Sequence, residues 1–310
     1  MADLPGTWIE GLRLRRAGFD LADPDLCFRP LHGEGKNLRC DRFGPVCWFY
    51  RYASGEPSDS EVAQFSAFSQ AAGARHWHSH GMNNRGSDPH TRRHVTSPGA
   101  PDTWRARENG LHFELRASSG QSPGLFLDQR DNRAWVRRHA QGARILNLFA
   151  YTGGFGIAAL AGGASQVLQV DVSRPYLDWA RTNAALNGID DDCVEYSAVD
   201  ARLLVDGCHR RGRHFDGIIC DPPSFGRGRG HSSRLFRIER DLGDLLSSCL
   251  RLVAPGGWVL VSSNYEGWNQ AHFEGTIKRL GADIETAPGA GDDFRVVGPS
   301  PMLKSCILRL

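Results

Sequence analysis

Two sequence features place groups that could bind an adenosine-containing cofactor. The run Gly154-Phe155-Gly156-Ile157-Ala158-Ala159 fits the pattern G-x-G-x-x-A between a predicted strand, 145–150, and a helix-like stretch. Asp171 stands at the tip of the next apolar run, 167–172, where a carboxylate can accept hydrogen bonds from both ribose hydroxyls. NAD and S-adenosylmethionine (SAM) both carry adenosine, so this pattern alone selects neither. Glycine turns of this kind also occur for packing alone.

A proline pair marks a second candidate site. Asp221-Pro222-Pro223-Ser224-Phe225 follows directly on a predicted strand, 215–221. The prolines remove backbone donors and stiffen the turn, Asp221 offers a carboxylate, and Phe225 can stack on a base taken out of its helix. The pattern resembles the (D/N)-P-P-(Y/F) motif of methyltransferases that act on nucleobase nitrogens, and a nicotinamide dehydrogenase does not need it. The structural alternative is a rigid turn with Phe225 in the core.

Two further predicted strands end in polar residues. Asp200-Ala201 follows the strand 193–198, where a carboxylate suits the exocyclic amine of adenine. Asn264 ends the strand 258–264 and, like Asp221, can hold the edge of a base by hydrogen bonds. A ring nitrogen such as guanine N7 has a lone pair that can attack a sulfonium methyl in line. Catalysis would then consist mainly of positioning and exclusion of water.

The elements that position these residues alternate in type. From residue 144 onward, short apolar strands alternate with helix-like stretches, which predicts a mainly parallel sheet covered on both faces. Residues 73–103 are polar, and we expect little regular structure there. The other predicted elements are helices at 11–21, 60–72, 173–188 and 269–280 and strands at 45–53, 111–117 and 305–310.

Composition excludes several classes of protein. The 310 residues allow about two domains, and 40 % hydrophobic and 23 % charged residues exclude disordered, collagen-like and coiled-coil chains. No apolar run approaches the roughly 18 residues of a membrane helix, and Asp3 and Glu10 interrupt the N-terminus, so we expect no signal peptide. Eight cysteines without a C-x-x-C pair predict reduced thiols in a cytosolic protein.

Longer motifs carry a resemblance to a known family. They are RPLHGEGKNLRCDRFGPVCWFY (29–50), GLFLDQRDNR (124–133), LNLFAYTGGFG (146–156), VDVSRPYLDWARTNAALNG (170–188) and DPPSF (221–225). These segments are similar to bacterial 23S rRNA methyltransferases, both the cytosine-C5 enzymes and the 7-methylguanine-forming half of a fused two-domain enzyme. The resemblance covers roughly residues 29–310, densely after 110 and weakly between 55 and 105.

The resemblance implies an architecture. It predicts an α/β fold, with a class I SAM-methyltransferase (Rossmann-like) domain at 136–310 and a smaller N-terminal α+β domain for substrate recognition at 29–135. Residues 1–28 would form an N-terminal helical segment. There is room before residue 29 only for a helix, so we expect the RNA-binding barrel that precedes the small domain in some relatives to be missing.

The resemblance also implies a cofactor, SAM, and a set of site residues. Asp128 and Arg130 would close over the cofactor, although Asp128 suits a structural partner of Arg130 equally well. The base-facing residues would be Asp221, Pro222, Phe225 and Asn264. The cofactor-binding residues would be Asp128, Arg130, Phe149, Tyr151, Gly153, Gly154, Asp171, Val172, Asp200, Ala201 and Asp221.

One departure from the pattern of the cytosine-C5 branch favours methylation of a nucleobase nitrogen. The cytosine-C5 branch needs a cysteine nucleophile after the fifth strand, but this segment reads Val261-Ser262-Ser263-Asn264-Tyr265. Cys220 lies inside a strand, where its side chain should point away from the face of Asp221. The segment resembles that of the guanine-N7 branch more closely, because that branch's segment ends in similar polar residues, so the resemblance favours guanine N7 over cytosine C5. The alternatives are methylation of a protein or small molecule and a catalytically inactive RNA-binding module, with a nicotinamide dehydrogenase ranked last.

The partner is expected to be RNA, either 23S rRNA or a ribosomal particle, and not a membrane. Only three of the 37 basic residues are lysines, and arginine makes bidentate contacts to phosphate, although a GC-rich genome explains the excess equally well. Arg227, Arg229 and Arg234 follow the proline pair and are the candidate RNA contacts. The histidine run 76–80 lacks carboxylates and cysteines at ligand spacing, so no metal is expected. Oligomeric state is left open.

Overall fold

The computed structural model describes residues 4–35, 37–82, 94–226, 236–295 and 303–309. The chain divides into two compact units, Met1–Leu127 with Gly291–Val297, and Asp128–Ala290 with Gly298–Leu310. The division falls before the predicted boundary at residue 135, because the helix that carries Trp135 packs into the core of the second unit. The predicted N-terminal segment belongs to the first unit, since Trp8 and Leu12 lie in its core.

The first unit is built on a five-stranded sheet in the order β1-β2-β3-β4-β5. The β3–β4 pair is its parallel pair, with α2 between these strands in sequence, and β6 and β7 form a separate antiparallel hairpin. Ser58 and Glu61 cap α2 reciprocally, which satisfies two backbone donors at its start. The elements are α1 (Gly6–Arg15), β1 (Cys27–Leu31), β2 (Leu38–Phe43), β3 (Val46–Arg51), α2 (Asp59–Ala71), β4 (His76–Gly81), β5 (His94–Thr96), β6 (Thr103–Glu108) and β7 (Leu111–Arg116).

The prediction of little regular structure at 73–103 is wrong. Strands β4 and β5 lie there, because the histidines pack as ring systems and are not solvated as loop residues. The His78 Nδ1 and His94 Nε2 atoms lie 2.9 Å apart, and the His80 ring stacks on Trp48 at 6.1 Å. Burial lowers the pKa of His78 to about 4, so the His78 ring is neutral at pH 7. Among the described residues, no group of His, Cys, Asp or Glu side chains is arranged to hold a metal ion.

A nearly buried ion pair joins β1 to β2. Arg29 donates to both carboxylate oxygens of Asp41 at 2.6 and 2.9 Å, and the Tyr50 hydroxyl donates to the same carboxylate at 3.0 Å. The Arg29 guanidinium also lies 4.2 Å from the Phe294 ring centroid. The Arg29 backbone N–H donates to the Asp293 carboxylate, which ties residues 291–295 to the first unit.

We expect Asp41→Ala to destabilise the first unit by about 3–5 kcal/mol, because it leaves the Arg29 charge buried without its carboxylate. Glu10→Ala is the matched control, since the Glu10–Arg13 pair of the same unit is exposed and is worth less than about 1 kcal/mol. Urea unfolding of both variants measures the two free energies. Equal, small losses would contradict the structural role of the Arg29–Asp41 pair.

The second unit has the predicted α/β architecture. Its seven-stranded sheet has the order β10-β9-β8-β11-β14-β16-β15, in which β8, β9, β10, β11 and β14 are parallel and β16 is antiparallel to both neighbours. The elements are α3 (Arg130–Arg138), β8 (Arg144–Leu148), α4 (Gly154–Ala161), β9 (Gln166–Val170), α5 (Arg174–Leu186), β10 (Val194–Ser197), α6 (Ala201–Arg210), β11 (Phe215–Cys220), β12 (Phe225–Gly226), β13 (Phe236–Arg237), α7 (Ile238–Leu250), β14 (Val253–Ser263), α8 (Gln270–Lys278), β15 (Asp283–Thr286) and β16 (Lys304–Arg309).

Two apolar layers enclose this sheet. One side packs Leu204, Leu242 and Leu246 of α6 and α7 against the strands, and the other packs Trp135 and Phe155 of α3 and α4. The sequence pattern did not predict α3, α6, α7, β12, β13 and β15. Helix α3 escaped notice because charged residues crowd it, although Trp135 and Val136 turn into the core. Among the described residues, no helix combines the length and apolar character needed to cross a membrane.

Candidate functional site

The carboxyl ends of the five parallel strands gather the predicted site residues at one sheet edge. Phe149, Asp171 and Asp221 directly follow β8, β9 and β11, and Asp200 and Asn264 come just after β10 and β14. Strand β8 lies between β9 and β11, so the chain leaves it toward one side of the sheet and later returns on the other. Ligands of open α/β sheets bind in the crevice at such a switch point.

The turn after β8 adopts left-handed backbone conformations. Phe149, Tyr151 and Gly153 have φ of 58°, 49° and 83°. Left-handed backbone is uncommon for aromatic residues and is maintained where the surrounding structure supports it, which is typical of ligand sites. A Cβ on Gly153 would lie 2.8 Å from the Ala180 Cβ, and a Cβ on Gly156 would overlap the Gln169 amide. These two glycines therefore allow the turn to lie close to β9 and α5.

Buried amides hold this turn in place, and the sequence analysis missed them. Asn147 Nδ2 donates to Gln169 Oε1 at 2.7 Å, and Gln169 Nε2 donates to the Gly153 carbonyl at 3.3 Å. Asn183 Nδ2 donates to the Thr152 carbonyl at 3.1 Å. A polar residue such as Gln169 in an otherwise apolar strand was the signal that could have revealed this function.

The substitution Gly153→Ala should lower the free energy of unfolding more than Gly142→Ala does. Both glycines have positive φ, but open space surrounds the Gly142 Cβ position, so Gly142→Ala carries only the left-handed cost of about 1–2 kcal/mol. Gly153→Ala adds the collision with Ala180, about 1 kcal/mol more. Urea unfolding checks the difference, and titration with SAM should show weaker binding for Gly153→Ala alone. Equal stability and equal SAM affinity of the two variants would contradict this account.

Asp171 joins the glycine turn to the start of α5. Its Oδ2 accepts from the Tyr151 backbone N–H at 3.0 Å and its Oδ1 from the Ser173 N–H at 2.8 Å. Burial raises the pKa of Asp171, and these two donors oppose the rise. A carboxylate has about four acceptor positions, so each oxygen can still accept a hydrogen bond from a diol. The Tyr151 ring packs edge-on against Tyr176 at 4.6 Å.

Asp200 has a structural function that the sequence analysis did not anticipate. It caps α6 by accepting from the Arg202 backbone N–H at 2.9 Å, and its oxygens pair with the Arg202 guanidinium at 3.0 and 2.8 Å. These bonds lower the pKa of Asp200, with the Arg202 side chain as the largest cause. Arg202 also lies 3.9 Å from Asp241 and 5.9 Å from the Phe236 ring centroid.

Asp221 meets a hydroxyl from the neighbouring strand. Ser262 of β14 donates to Asp221 Oδ1 at 2.7 Å. The pKa of Asp221 is raised to about 6, mainly by burial and to a lesser extent by the Asp128 carboxylate. The Ser262 and Gln129 donors and the Arg133 charge oppose these effects. A carboxyl whose pKa is raised in this way by burial and a nearby charge is a candidate functional group.

The other predicted residues that the structure describes differ in their contacts and burial. Phe149 packs on Phe236 at 5.5 Å, and Arg130 donates to Asp131 at 3.3 Å. Gly154 and Ala201 are the buried first residues of α4 and α6, Pro222 is buried, Asp128 and Val172 are half-buried, and Asn264 is exposed. The backbone of Phe225 pairs with Arg237 in the β12–β13 ladder. Arg227, Arg229 and Arg234 lie outside the described residues.

Buried polar residues on α3 and just before it were not predicted from the sequence. Arg133 is buried and its guanidinium lies 5.8 Å from the Phe155 ring centroid of α4. Gln129 and Asn132 are buried near Asp221 and Ser262. Their spacing of three residues, one helical turn apart, was the signal that could have placed them on one face.

The glycine turn, the carboxylates at the ends of parallel strands and the sheet order define a nucleotide-type cofactor crevice in a doubly wound α/β unit. A family model described as S-adenosylmethionine-dependent methyltransferase matches residues 63–274. This match covers more than half of the chain, so the chain belongs to the S-adenosylmethionine-dependent methyltransferase family. Its cofactor is SAM, and the expected fold class and enzyme class are confirmed.

Relatives and solved structures agree with this assignment. The chain is 40 % identical over 190 residues to ribosomal RNA large subunit methyltransferase I of Aeromonas salmonicida, covering 61 % of this chain and 46 % of that protein. It is 36 % identical over 188 residues to ribosomal RNA large subunit methyltransferase K/L of Hahella chejuensis, covering 61 % and 25 %. The matched part thus spans less than half of either relative.

Two solved chains share the fold. One, described as a candidate methyltransferase complexed with SAH, has a TM-score of 0.81 at 22 % identity and covers 99 % of this chain and 83 % of its own. The SAM-dependent methyltransferase from Agrobacterium tumefaciens has a TM-score of 0.68 at 20 % identity and covers 91 % and 88 %. At these identities the likeness establishes the fold alone.

Proposed function

We propose that this chain transfers the methyl group of SAM to a nucleobase nitrogen of RNA. The substrate is 23S rRNA of the large ribosomal subunit, and guanine N7 is favoured over cytosine C5. The names of the relatives support a large-subunit rRNA substrate. The matched parts span less than half of either relative, so the substrate itself is the point that experiment must test.

A single observation favours nitrogen over carbon as the methyl acceptor: the side chain that contacts Asp221 from the next strand is a serine hydroxyl. Cytosine C5 chemistry requires a thiolate that adds to the ring. Seven of the eight cysteines are buried, and burial raises the pKa of Cys220 well above its ordinary value. The half-buried Cys193 directly precedes β10, at the opposite end of that strand from Asp200. No thiol is thus placed to attack a base beside Asp221.

Different residues of the site are proposed to bind different parts of SAM. Asp171 accepts hydrogen bonds from the ribose hydroxyls with the lone pairs left over from its two backbone bonds. Phe149, Tyr151, Gly153 and Gly154 frame the methionine portion, since their turn brings the backbone close to the crevice. Asp200 and Ala201 lie toward adenine, and Val172 lies beside the ribose. Asp128 and Arg130 close over the cofactor from the chain before α3.

SAM supplies an electrophilic methyl group on a sulfonium. The N7 lone pair forms the new N–C bond while the electron pair of the S–C bond returns to sulfur, so no proton has to leave the base. Asp221 and Asn264 hold the base edge, Pro222 stiffens the turn, and Phe225 stacks on the base. The carboxylate of Asp221 also stabilises the positive charge that develops on the ring. Arg227, Arg229 and Arg234 are proposed to grip phosphates of the RNA.

Transfer of radiolabelled methyl from SAM to unmodified, protein-free 23S rRNA tests the proposal. We expect label in the RNA, a loss of at least about 100-fold in Asp221→Ala, and 7-methylguanine on nucleoside digestion. Label in 5-methylcytosine would overturn the choice of atom. SAM binding without label in RNA would overturn the naked-rRNA substrate and direct the search to ribosomal particles, proteins and small molecules.

The pH dependence follows from Asp221. Its acceptor form is the carboxylate, so kcat/KM for SAM, which reports the cofactor-free enzyme, should fall as pH drops through about 6. Asp221→Asn should be slower at every pH and should lack this acidic limb, because no carboxyl remains to titrate. If kcat/KM for SAM of Asp221→Asn still falls at acidic pH as in the parent chain, another group causes the pH dependence.

A further inference from the structure

A line of buried polar side chains runs from a backbone amide to Asp221. The Gly289 N–H donates to Asn132 Oδ1 at 3.0 Å, and Asn132 Nδ2 donates to Gln129 Oε1 at 2.7 Å. Gln129 Nε2 then donates to Ser262 Oγ at 3.0 Å, and the Ser262 hydroxyl donates to Asp221 Oδ1 at 2.7 Å. Asn132, Gln129 and Ser262 are at most 3 % exposed.

The direction of this line is determined at its backbone end. A backbone N–H can only donate, so the oxygen of the Asn132 amide must face Gly289 and its NH₂ must face Gln129. Gln129 therefore accepts with its oxygen and presents its own NH₂ to Ser262. With its oxygen receiving that bond, the Ser262 hydroxyl directs its hydrogen at Asp221. Reversing any member would place two donors or two acceptors face to face in a buried site.

We infer that Asn132, Gln129 and Ser262 are positioning residues that hold Asp221 with Oδ1 as a constant hydrogen-bond acceptor and Oδ2 as the oxygen that meets the substrate and takes up the proton. The substrate half of this inference rests on the proposed function. The ordering of the carboxyl is a property of the cofactor-free chain, so it can be tested whether or not 23S rRNA is the substrate.

The charges around Asp221 predict the sign of the effect. Asp128, just before α3, raises its pKa, and Arg133 of α3 lowers it, while the donors Ser262 and Gln129 favour the ionised form. Cys220, its neighbour in β11, is a buried thiol whose pKa is raised well above its ordinary value, so it carries no charge. Removing the Ser262 donor should therefore raise the pKa of Asp221 and leave the two neighbouring charges in place.

Carbon-13 NMR of the cofactor-free full chain, labelled at aspartate carboxyl carbons, measures this pKa directly. The Asp221 signal is assigned by its loss in Asp221→Asn. Ser262→Ala should make Asp221 about a tenfold weaker acid. Ser262→Thr, which keeps the hydroxyl, should titrate like the parent chain. Ser263→Ala is the matched control, since this neighbouring buried hydroxyl accepts from the Tyr265 N–H and its bond does not involve Asp221.

Equal titration of Asp221 in the Ser262→Ala, Ser263→Ala and parent chains would overturn the inference. If the alanine variant does not fold, Ser262→Cys replaces the hydroxyl by a weak donor of similar size and gives the same test. These results do not depend on methyl transfer. If Ser262→Ala leaves the pKa of Asp221 unchanged and the parent chain methylates rRNA, the positioning role is refuted and the proposed function is not. If Ser262→Ala raises this pKa but the parent chain does not methylate rRNA, only the proposed substrate is refuted.

A double-mutant cycle tests whether Asn132 acts through Ser262. Asn132→Asp removes the donor to Gln129, which allows the Gln129 amide to reverse and draw the Ser262 hydrogen away from Asp221. The added charge raises the pKa of Asp221 in any background, but loss of the hydroxyl donor can occur only where Ser262 is present. The rise should therefore be larger in the Ser262 background than in Ser262→Ala. Equal rises in both would show that Asn132 does not act through Ser262 and would remove it from the chain.

Discussion

Parallel alignment of five strands is the constraint on which the site depends. Strands β8 to β11 and β14 end at one edge, so residues far apart in sequence, from Phe149 to Asn264, come to the same side of the sheet. The order of the strands then opens the crevice where β8 separates β9 from β11. The buried amides beneath the glycine turn, Gln169 above all, preserve that edge by tying the turn to β9.

Three aspartates at this edge have different environments, and this difference suits them to different tasks. Asp171 accepts from two backbone N–H groups, Asp200 pairs with the Arg202 guanidinium, and Asp221 meets neutral side-chain donors in a buried setting. The pKa is lowered at Asp200 and raised at Asp171 and Asp221. One residue type thus supplies the proposed ribose acceptor, a helix cap and a carboxyl whose pKa is raised to about 6.

The serine that contacts Asp221 connects the proposed chemistry to the fold. Ser262 is in the central part of the sheet, next to β11, and its hydroxyl links Asp221 to Gln129 and Asn132. A thiol here would offer a nucleophile for ring addition, whereas a hydroxyl that donates to a carboxylate orders that carboxylate. The hydroxyl of Ser262 provides the last donor of the proposed positioning chain.

The sequence by itself determined the alternating α/β unit, the glycine turn, and the positions of Asp171 and Asp221 at the ends of strands, because short apolar strands, glycines and a proline pair impose local backbone constraints. Its longer motifs also carried the resemblance to the family. It did not reveal α3, the histidine strands β4 and β5, the capping function of Asp200, or the link from Asn132 to Asp221. These features depend on which distant side chains become neighbours. In the sequence the histidines are typical of a polar loop, but in the structure the ring of Trp48 packs on His80. In the sequence Gln129 is an ordinary polar residue, but in the structure its amide donates to Ser262 at 3.0 Å. Only tertiary packing decides such contacts, since burial turns a solvated polar group into one that must find a partner.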